Sequence, residues 1–225
     1  MADGRAEVVA AWDEGPLMRG LRLSPLPPYR PGQALKIKHE GTSAYFALAS
    51  AYGNGRAPEL LLRRGGGVAD ALIAALAPGG TVTFEGPLGP GFPIEQARGR
   101  DVVLAAAGSA ISPIRALLDT LLEERDAYGK LALFYGQERE NEFAYAEARD
   151  AWSRAGVVVT LCAHAPAPGW RGARGFVQDA IITAGPAVDA TRAVAYLCGM
   201  PGMVSGVREA LAGFGIPPER TYLNY

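Results

Sequence analysis

Residues 101–122, DVVLAAAGSAISPIRALLDTLL, hold the feature that most constrains the fold: an unbroken apolar run joined directly to an amphipathic one. Val102–Ala107 shows no polar alternation, which is typical of a strand buried on both faces of a parallel sheet. The run breaks at Gly108, and apolar residues then recur at the spacing of one helix face. Ser112 is predicted to cap this helix, and Pro113 suits its first position because the N–H there has no partner. The stretch therefore predicts a strand, a tight turn and a helix.

This strand–turn–helix unit has two interpretations. Unpaired N–H groups at the start of a helix, together with the positive end of its dipole, form a site for a phosphate group. Such a unit is also an ordinary connection in an α/β domain. Ala110 stands where a second glycine would let a pyrophosphate approach most closely, so the glycine pattern is incomplete. The spacing alone leaves both interpretations open.

The first part of the chain, up to Pro87, has the character of β structure. Short runs typical of strands alternate there with turns rich in Gly and Pro. Strands are predicted over residues 7–12, 18–23, 35–39, 45–50, 59–64 and 81–86, and a short helix over residues 68–76. Several short strands in succession indicate a sandwich or a barrel.

The second part of the chain follows a different pattern. Residues 88–100, LGPGFPIEQARGR, are rich in Gly and Pro and are predicted to link two domains. Beyond them strands and helices alternate, which indicates a parallel sheet with helices on both faces. Strands are predicted over residues 102–107, 130–135, 157–162, 193–198 and 221–224, and further helices over residues 142–155, 177–184 and 203–214. We therefore predict two domains, residues 1–97 and residues 98–225.

Charge and cysteine content exclude several classes of function. The 22 Lys and Arg and 23 Asp and Glu are mixed along the chain, so nothing indicates a nucleic-acid or anionic-membrane partner. No apolar segment approaches the roughly 20 residues of a membrane span, and the N-terminus lacks the pattern of a secretory signal. Cys162 and Cys198 cannot supply the four thiolates of an iron–sulfur cluster; we expect them to stay reduced in the cytoplasm. His39 and His164 show no spacing typical of a metal site or a catalytic triad.

Seven short motifs occur in the order of these domains. They are PGQALKI (31–37), YFALAS (45–50), GPLGPGF (86–92), AAGSAISPIRALL (106–118), FYGQ (134–137), YLCGMPGMV (196–204) and the terminal LNY. In their order and spacing the chain resembles the ferredoxin–NADP reductase superfamily over nearly its whole length, and in particular its compact members without a fused iron–sulfur domain. The resemblance implies an N-terminal antiparallel Greek-key β-barrel that binds FAD and a C-terminal doubly wound α/β domain that binds NADH or NADPH. It also implies hydride transfer between the two cofactors, and a separate electron-acceptor protein such as a ferredoxin.

The resemblance assigns a first set of flavin contacts to one strand of the barrel. Where the family has an arginine, any residue, an aromatic and a serine, this chain has Ala44, Tyr45, Phe46 and Ala47, and Ser50 ends the motif. Phe46 would cover the isoalloxazine ring, or Tyr45 after a shift of one residue; alternatively, both rings belong to the barrel core. The two polar side chains of the motif are missing, which leaves backbone N–H groups to bind the flavin.

A second flavin motif pairs a glycine with a Ser or Thr three residues later to hold the pyrophosphate. Here it begins with Gly67 and Val68, and Asp70 takes the place of the hydroxyl residue. A carboxylate repels a diphosphate, by about 1 kcal/mol at 4 Å in water and by more in a drier site. Arg63 is implied to supply the missing cation, with Arg64 as a second candidate. The alternative is that Asp70 and the arginines are simply solvated.

The resemblance places the nicotinamide nucleotide on the α/β domain. The dinucleotide turn maps onto Gly108, Ser109, Ser112 and Pro113. A second motif, whose cysteine lies near the nicotinamide C4 atom, maps onto Cys198, Gly199, Met200 and Met203. The alternative for Cys198 is a small buried apolar residue. Tyr225 is implied to be the terminal aromatic that covers the flavin where the nicotinamide enters, although chain ends often fray.

The choice of nicotinamide cofactor and the role of the flavin stay open. A carboxylate after the second strand favours NAD and a cation favours NADP. Glu138 and Arg139 stand there together, an order that favours NADH slightly, or they are ordinary surface charges. The missing flavin contacts allow two alternatives: a non-catalytic or electron-transfer subunit with weak or absent flavin, and a reductase that uses flavin as a diffusible substrate.

Overall fold

Two six-stranded sheets, one antiparallel and one parallel, organise residues 4–224, the part of the chain that this computed structural model describes. The antiparallel sheet contains β1 (Gly4–Asp13), β2 (Met18–Leu23), β3 (Ala34–His39), β4 (Thr42–Ala47), β5 (Glu59–Arg63) and β6 (Thr81–Leu88), with helix α1 (Gly67–Ala75) between β5 and β6. Its strand order is β4-β3-β6-β1-β2-β5. An antiparallel bridge between Leu48 and Leu60 joins the two edges, so the sheet curls into the predicted Greek-key barrel.

The barrel encloses an apolar core because its strands alternate between apolar and polar residues. In β3, Leu35 and Ile37 are fully buried, whereas the lysines beside them keep partial access to solvent. Leu72 of α1 and the following Leu76 pack against the same core and close one end of the barrel. Burial of each such side chain contributes roughly 1.5–3 kcal/mol to folding.

The parallel sheet confirms the predicted doubly wound domain. It contains β7 (Val102–Ala107), β8 (Leu131–Gln137), β9 (Val157–Ala163), β10 (Ala173–Arg174), β11 (Val194–Cys198) and β12 (Thr221–Tyr222), in the order β10-β9-β8-β7-β11-β12. Helices α2 (Ile111–Glu123) and α3 (Ala146–Arg154) pack on one face, and α4 (Val177–Ala184) and α5 (Pro201–Gly213) on the other. The strand order reverses between β7 and β11, which is where ligands of such sheets bind, outside the carboxyl ends of the strands.

Helix α3 begins four residues later than its sequence pattern predicts. Tyr145 falls inside the helix predicted over residues 142–155, but its backbone is left-handed, with φ +61°, and the helix begins only after it. The Tyr145 N–H donates at 2.7 Å to Glu14 Oε2, on the barrel. A long-range hydrogen bond therefore holds the backbone out of the helix, and no local pattern carries that information.

The Gly- and Pro-rich connection between the sheets is packed into the molecule and is not a loose linker. Phe92 is fully buried, with its ring edge-to-face on Tyr196 of β11 at 5.5 Å between centroids. The Tyr196 hydroxyl donates to the Pro93 carbonyl at 2.8 Å. Phe92 and Ala97 belong to the same core cluster as Met18 of the barrel. We propose the domain boundary between residues 97 and 98, within this shared core.

Candidate nucleotide-binding site

Strand β5 of the barrel lies alongside the first part of helix α2, and this contact brings the two domains together. At one end, Arg115 Nη1 of α2 donates to Glu59 Oε2 at 2.6 Å. At the other end, Arg63 Nη1 lies 3.0 Å from the position that a Cβ atom on Gly108 would occupy. The first residue of β5 therefore contacts α2, and the last residue of β5 faces the turn after β7. We call Arg63 and the turn residues Gly108 and Ser109 the junction.

The turn after β7 allows close approach to the backbone. Gly108 has φ +62°, a conformation that favours glycine, and a side chain there would meet the Arg63 guanidinium. After Gly108 the chain makes one 3-10 turn and enters α2. The N–H groups in the first turn of α2 and the positive end of its dipole favour an anion at this point.

The prediction that Ser112 caps α2 and that Pro113 takes its first position is wrong. Both residues are buried, so their side chains shape the turn and do not present themselves to a nucleotide. The Ser112 hydroxyl donates to the Ser109 carbonyl at 3.2 Å and makes no capping hydrogen bond to the backbone. Because α2 begins at Ile111 and its N-cap is Ala110, Ser112 stands two residues too late to cap it. Ser109 keeps partial access to solvent and remains available to a ligand.

The carboxylate of Asp70 already occupies the glycine loop before α1. Gly65, Gly66 and Gly67 all have positive φ, and nothing lies within 4 Å of the position of a Cβ atom on any of them. The Asp70 carboxylate accepts hydrogen bonds from the N–H groups of Gly65, at 3.1 Å, and Gly66, at 2.6 Å. Val68 packs partly against the barrel core. Asp70 is therefore bonded to its own loop, which neither sequence interpretation predicted.

Arg63 and Arg64, the two candidate cations, have different surroundings. Arg64 Nη2 donates at 3.0 Å to Asp13 Oδ1, which also accepts from Arg19. These guanidinium groups lower the pKa of the Asp13 carboxyl, with the Arg19 hydrogen bond as the largest cause. Arg63 is exposed and pairs with no acidic side chain among residues 4–224. Arg63 is thus the cation that the site leaves available.

The aromatic residues of β4 lie on opposite sides of the strand. Tyr45 is 67% exposed on the outside of the barrel. Phe46 is partly buried and packs against the barrel core, beside Ile37 and Leu72. Neighbouring residues of a strand point to opposite faces of the sheet. Aligning the motif one residue earlier therefore replaces Phe46, inside the barrel, with Tyr45, outside it. Ala47, at the serine position of the motif, offers no hydroxyl but keeps partial access to solvent.

Ser50, predicted as a flavin contact, is buried in this structure. Its side chain is in the barrel core, with 3% of the residue exposed. Its Oγ lies 2.9 Å from the Tyr29 hydroxyl and accepts from the Glu59 N–H at 3.0 Å. Because the hydroxyl is occupied twice, Ser50 orders the start of β5 and leaves ligand binding to other groups.

The end of β11 lies beside the junction, because β11 pairs with β7 and places Cys198 next to Ala106. Gly199 follows, and Met203 Sδ lies 2.7 Å from the position of a Cβ atom on that glycine. Met203 therefore covers Gly199, whereas Met200 is 75% exposed at the start of α5. The motif residues Cys198, Gly199, Met200 and Met203 form one edge of the candidate site.

Burial raises the pKa of the Cys198 thiol to about 12, and that of Cys162 to about 12 as well. Both thiols should therefore stay neutral at pH 8. We expect iodoacetamide to modify the folded protein at least roughly a hundredfold more slowly than a cysteine of ordinary pKa. Mass spectrometry at timed intervals measures this, and the same protein unfolded in urea is the control, where both cysteines should react. Rapid single modification of the folded protein would contradict the assignment.

The end of β8 lies beside the end of β9. Glu138 and Arg139 are both exposed there, and the Glu138 carbonyl accepts from the Ala165 N–H at 2.8 Å. One feature of this edge was not predicted from the sequence, the stacking of His164 on Phe176 at 4.2 Å between ring centroids. Phe176 is not close to His164 in the sequence. The two rings meet only because the chain after β10 folds back to the end of β9, so the pair could not be predicted. Glu138 and Arg139 share this edge, and their geometry selects neither NADH nor NADPH.

The predicted catalytic residue Tyr225 lies outside the described residues. Asn224, directly before it, donates from Nδ2 to the Gly32 carbonyl at 3.1 Å, on the barrel. The last strand, β12, ends at Tyr222, two residues earlier than predicted. The contact of Asn224 crosses from the parallel sheet to the barrel, so the end of the described chain lies between the two domains.

Neither a metal site nor a membrane-spanning helix is found among residues 4–224. No three His, Cys, Asp or Glu side chains there are grouped so that they could hold a metal ion. Over the same residues, no helix has the length and apolar character needed to cross a membrane. The junction is therefore the site on which the functional argument depends.

The fold and the junction define a class of protein: a doubly wound nucleotide-binding domain whose dinucleotide turn faces an antiparallel barrel. The family model of the oxidoreductase NAD-binding domain matches residues 104–209. The chain is 32% identical over 168 residues to the gamma subunit of sulfhydrogenase 1 from Pyrococcus furiosus, a match that covers 73% of this chain and 56% of that subunit. It is 27% identical over 193 residues to ferredoxin–NADP reductase B from Sorangium cellulosum, which covers 80% and 76% of the two chains.

A solved structure agrees with these matches. The flavohem-like FAD/NAD-binding domain of nitric oxide dioxygenase from Vibrio cholerae has a TM-score of 0.86 at 24% identity, over 99% of this chain and 98% of that one. At this identity the similarity establishes the fold. These matches confirm the resemblance to the ferredoxin–NADP reductase superfamily that the motifs indicated. It spans just over half the length of the sulfhydrogenase subunit.

Proposed function

We propose that this protein is an NAD(P)H-dependent flavin oxidoreductase. FAD binds to the barrel, NADH or NADPH binds to the α/β domain, and electrons pass on to a separate acceptor protein such as a ferredoxin. The junction is the observation that carries the proposal, because it places the dinucleotide turn of one domain against the other domain. The names of the relatives support it, since they include a ferredoxin–NADP reductase and an FAD/NAD-binding domain.

The nicotinamide side of the site fits a dinucleotide. Gly108 lacks a side chain where the backbone must be approached, and Ser109 is accessible beside it. The start of α2 and the Arg63 guanidinium both favour negative charge at the same point. Cys198 and Gly199 border this point from β11, as the family motif requires.

The flavin side fits less well. Ala44 and Ala47 offer no polar side chain, Ser50 is buried, and Asp70 occupies two N–H groups of the glycine loop. This observation favours a second candidate function, a reductase that binds flavin loosely and uses it as a diffusible substrate. The two candidates share the chemistry and differ in the affinity for flavin.

In this reaction the main task of the protein is to position the two cofactors. Together, the two cofactors supply hydride transfer from the nicotinamide C4 atom to the flavin N5 atom. The chain has to hold both rings in contact and exclude water, which is where its rigid domain contact contributes. The neutral Cys198 thiol adds no charge near the nicotinamide edge, since its pKa is raised by burial. We propose that Tyr225 covers the flavin ring until the nicotinamide enters.

A visible spectrum tests this proposal. The protein is purified, incubated with FAD and separated from free FAD, and its spectrum is recorded before and after anaerobic addition of NADH or NADPH. Flavin absorption that bleaches with either nucleotide supports the reductase. Flavin that is reduced in solution but lost on separation supports the diffusible-substrate version. A protein that neither takes up flavin nor reduces it is a non-catalytic subunit, and the proposal is then wrong.

The same titration settles the nicotinamide cofactor. Bleaching rates are measured at matched concentrations of NADH and NADPH, first for the wild-type protein and then for Glu138→Gln and Arg139→Gln. The paired charges at the end of β8 make opposite contributions to these two cofactors. The variant that changes the ratio of the two rates identifies the residue that reads the ribose.

A further inference from the structure

We propose that Met200 is the residue at which hydrogen peroxide oxidises the folded protein, and that its sulfoxide weakens the binding of the nicotinamide nucleotide. The O–O bond of the peroxide breaks, one oxygen atom passes to the thioether sulfur, which is oxidised by two electrons, and water leaves. No other reactant is needed. The site of oxidation is a property of the chain itself. Only the effect on NADH or NADPH rests on the proposed function, because it requires the nucleotide to bind at the end of β11.

The first argument is the difference in exposure between the methionines. Met200 is 75% exposed at the start of α5. Met18 is fully buried in the core that the two domains share. Met203 is partly buried, with its Sδ atom 2.7 Å from the position of a Cβ atom on Gly199 and its side chain against the core of the α/β domain. A thioether reacts only where the oxidant reaches it, so Met200 should react first among the methionines of residues 4–224.

The second argument is that the two cysteines do not compete for the oxidant. Peroxide attacks the thiolate form of cysteine, whereas a thioether has no proton to lose and reacts as it is. Burial raises the pKa of the Cys162 thiol and of the Cys198 thiol to about 12. At pH 7 only about one such thiol in a hundred thousand is ionised. The thioether of Met200 is therefore the sulfur that the oxidant meets in reactive form.

The third argument is the position of Met200 at the nicotinamide edge of the candidate site. Met200 follows Cys198 and Gly199, at the end of the strand that pairs with β7. Its backbone is extended, with φ −66° and ψ 153°, and Pro201 after it occupies the start of α5, a position that suits proline. The backbone at Met200 is thus fixed while its side chain reaches solvent. A chemical change in this side chain is therefore presented at the edge of the site.

Oxidation changes the character of that edge. A thioether is flexible, apolar and polarisable, whereas its sulfoxide is polar and carries a strong hydrogen-bond acceptor. A nucleotide that packs against Met200 then loses an apolar contact and has to displace water from the new oxygen atom, which costs free energy. We therefore expect the sulfoxide to weaken binding and to leave the hydride transfer step itself unchanged.

The first test identifies the oxidised residue. The folded protein is treated with hydrogen peroxide at pH 7 for timed intervals, digested, and analysed by tandem mass spectrometry, which assigns each added oxygen to a residue. We expect Met200 to be oxidised about tenfold faster than Met18 and Met203, with both cysteines unmodified over the same time. Met1, outside the described residues, is followed in its own peptide. In protein unfolded in guanidinium chloride the methionines should react at similar rates, which attributes the difference to the fold.

The second test measures the effect on the nucleotide. With FAD supplied in excess and ferricyanide as the acceptor, KM and kcat for NADH and NADPH are measured before peroxide treatment and after the peroxide has been removed. In the wild type, KM should rise about threefold to tenfold while kcat stays within about twofold, the pattern of lost binding. Treatment with the two methionine sulfoxide reductases, one for each sulfoxide epimer, should restore KM.

Two variants show which methionine is responsible. In Met200→Leu, which has no sulfur at this position, KM should be the same before and after peroxide. Met18→Leu, a matched substitution of similar volume in the core, should keep the sensitivity of the wild type. Each variant is compared only with its own untreated sample, so any effect of the substitution itself cancels.

Three results would overturn the inference while the proposed function stands. In the first, Met203 or a cysteine is oxidised before Met200. In the second, Met200 is oxidised and neither KM changes. In the third, Met200→Leu remains as sensitive to peroxide as the wild type. Failure of the proposed function looks different, because untreated protein then shows no turnover with either nucleotide. In that case the effect on the nucleotide is overturned as well, and mass spectrometry still decides the site of oxidation.

Discussion

Replacing Arg115 with methionine is expected to lower the free energy of unfolding by about 3 kcal/mol, near the lower end of the range for breaking a buried ion pair. Arg115 and Glu59 are both largely buried, with 18% and 8% of their side chains exposed. The substitution removes one partner of Glu59 and leaves Arg22 as the other, which keeps the loss near that lower end. The contact of the guanidinium with the Tyr145 ring is lost as well. Urea denaturation of both proteins at pH 7 measures the difference.

The control for this prediction is an exposed ion pair in the same region of the chain. Arg98 pairs with Glu124, and more than half of each side chain is exposed. Arg98→Met should change stability by no more than about 1 kcal/mol, because surface ion pairs contribute little. In the double variant Glu59→Gln and Arg115→Met, the charge of Glu59 is removed together with that of Arg115, so part of the lost stability should return. The return stays partial because Asp119, which pairs with Arg115 at 3.6 Å, still loses that partner. Equal effects of Arg115→Met and Arg98→Met would show that the contact between β5 and α2 is not the anchor that its geometry indicates.

Replacing Asp70 with serine is expected to tighten FAD binding about tenfold, an unusual direction for a substitution at a binding site. The carboxylate now holds the N–H groups of Gly65 and Gly66, which a flavin diphosphate would otherwise use. Its charge also repels a diphosphate by about 1 kcal/mol at 4 Å in water, and 1.4 kcal/mol corresponds to a tenfold change in affinity. Asp70 is exposed, so the fold should tolerate the change. Quenching of FAD fluorescence on titration gives the dissociation constants.

Two controls separate this effect from a general change in charge. Glu209→Gln removes one negative charge from an exposed position on α5, in the other domain, and should leave FAD binding unchanged. Riboflavin carries no phosphate, so its affinity should be the same for the wild type and Asp70→Ser. If FAD and riboflavin gain equally, Asp70 acts on the ring and not on the diphosphate. If neither gains, the hydrogen bonds of Asp70 to the loop do not obstruct the ligand.

The architecture of this protein was predictable because it rests on periodic patterns. The apolar run at Val102–Ala107 has no polar alternation, and the structure buries it at the centre of the parallel sheet. The alternation in β3 gave the correct inner residues, Leu35 and Ile37. A period of two or of 3.6 residues records which side of an element is buried, so the fold class and most elements follow from it.

The candidate site was predictable only in part, because its decisive contacts join distant parts of the chain. Gly108 was correctly placed in a tight turn, but the approach of Arg63, 3.0 Å from the position that a Cβ atom on Gly108 would occupy, crosses from one domain to the other. Ser50 matched a motif position, yet its hydroxyl bonds to Tyr29 and to the backbone of β5. Asp70 was expected either to face solvent or to repel the ligand. Instead, its carboxylate accepts a hydrogen bond from the glycine loop, which neither prediction included. A motif fixes the position of a residue along the chain but not the direction in which its side chain points.

The burial of Phe92 beneath Tyr196 has a consequence for how this molecule can move. Phe92 belongs to the connection, Met18 to the first half and Tyr196 to the second, and all three are members of one continuous core. Moving the two halves apart would expose these aromatic rings to water, which costs free energy. Entry and departure of a ligand then depend on small local adjustments of single side chains and of the three-glycine segment. We therefore expect the turnover rate to depend on motions of residues at the edge of the site, while the two domains keep their relative positions.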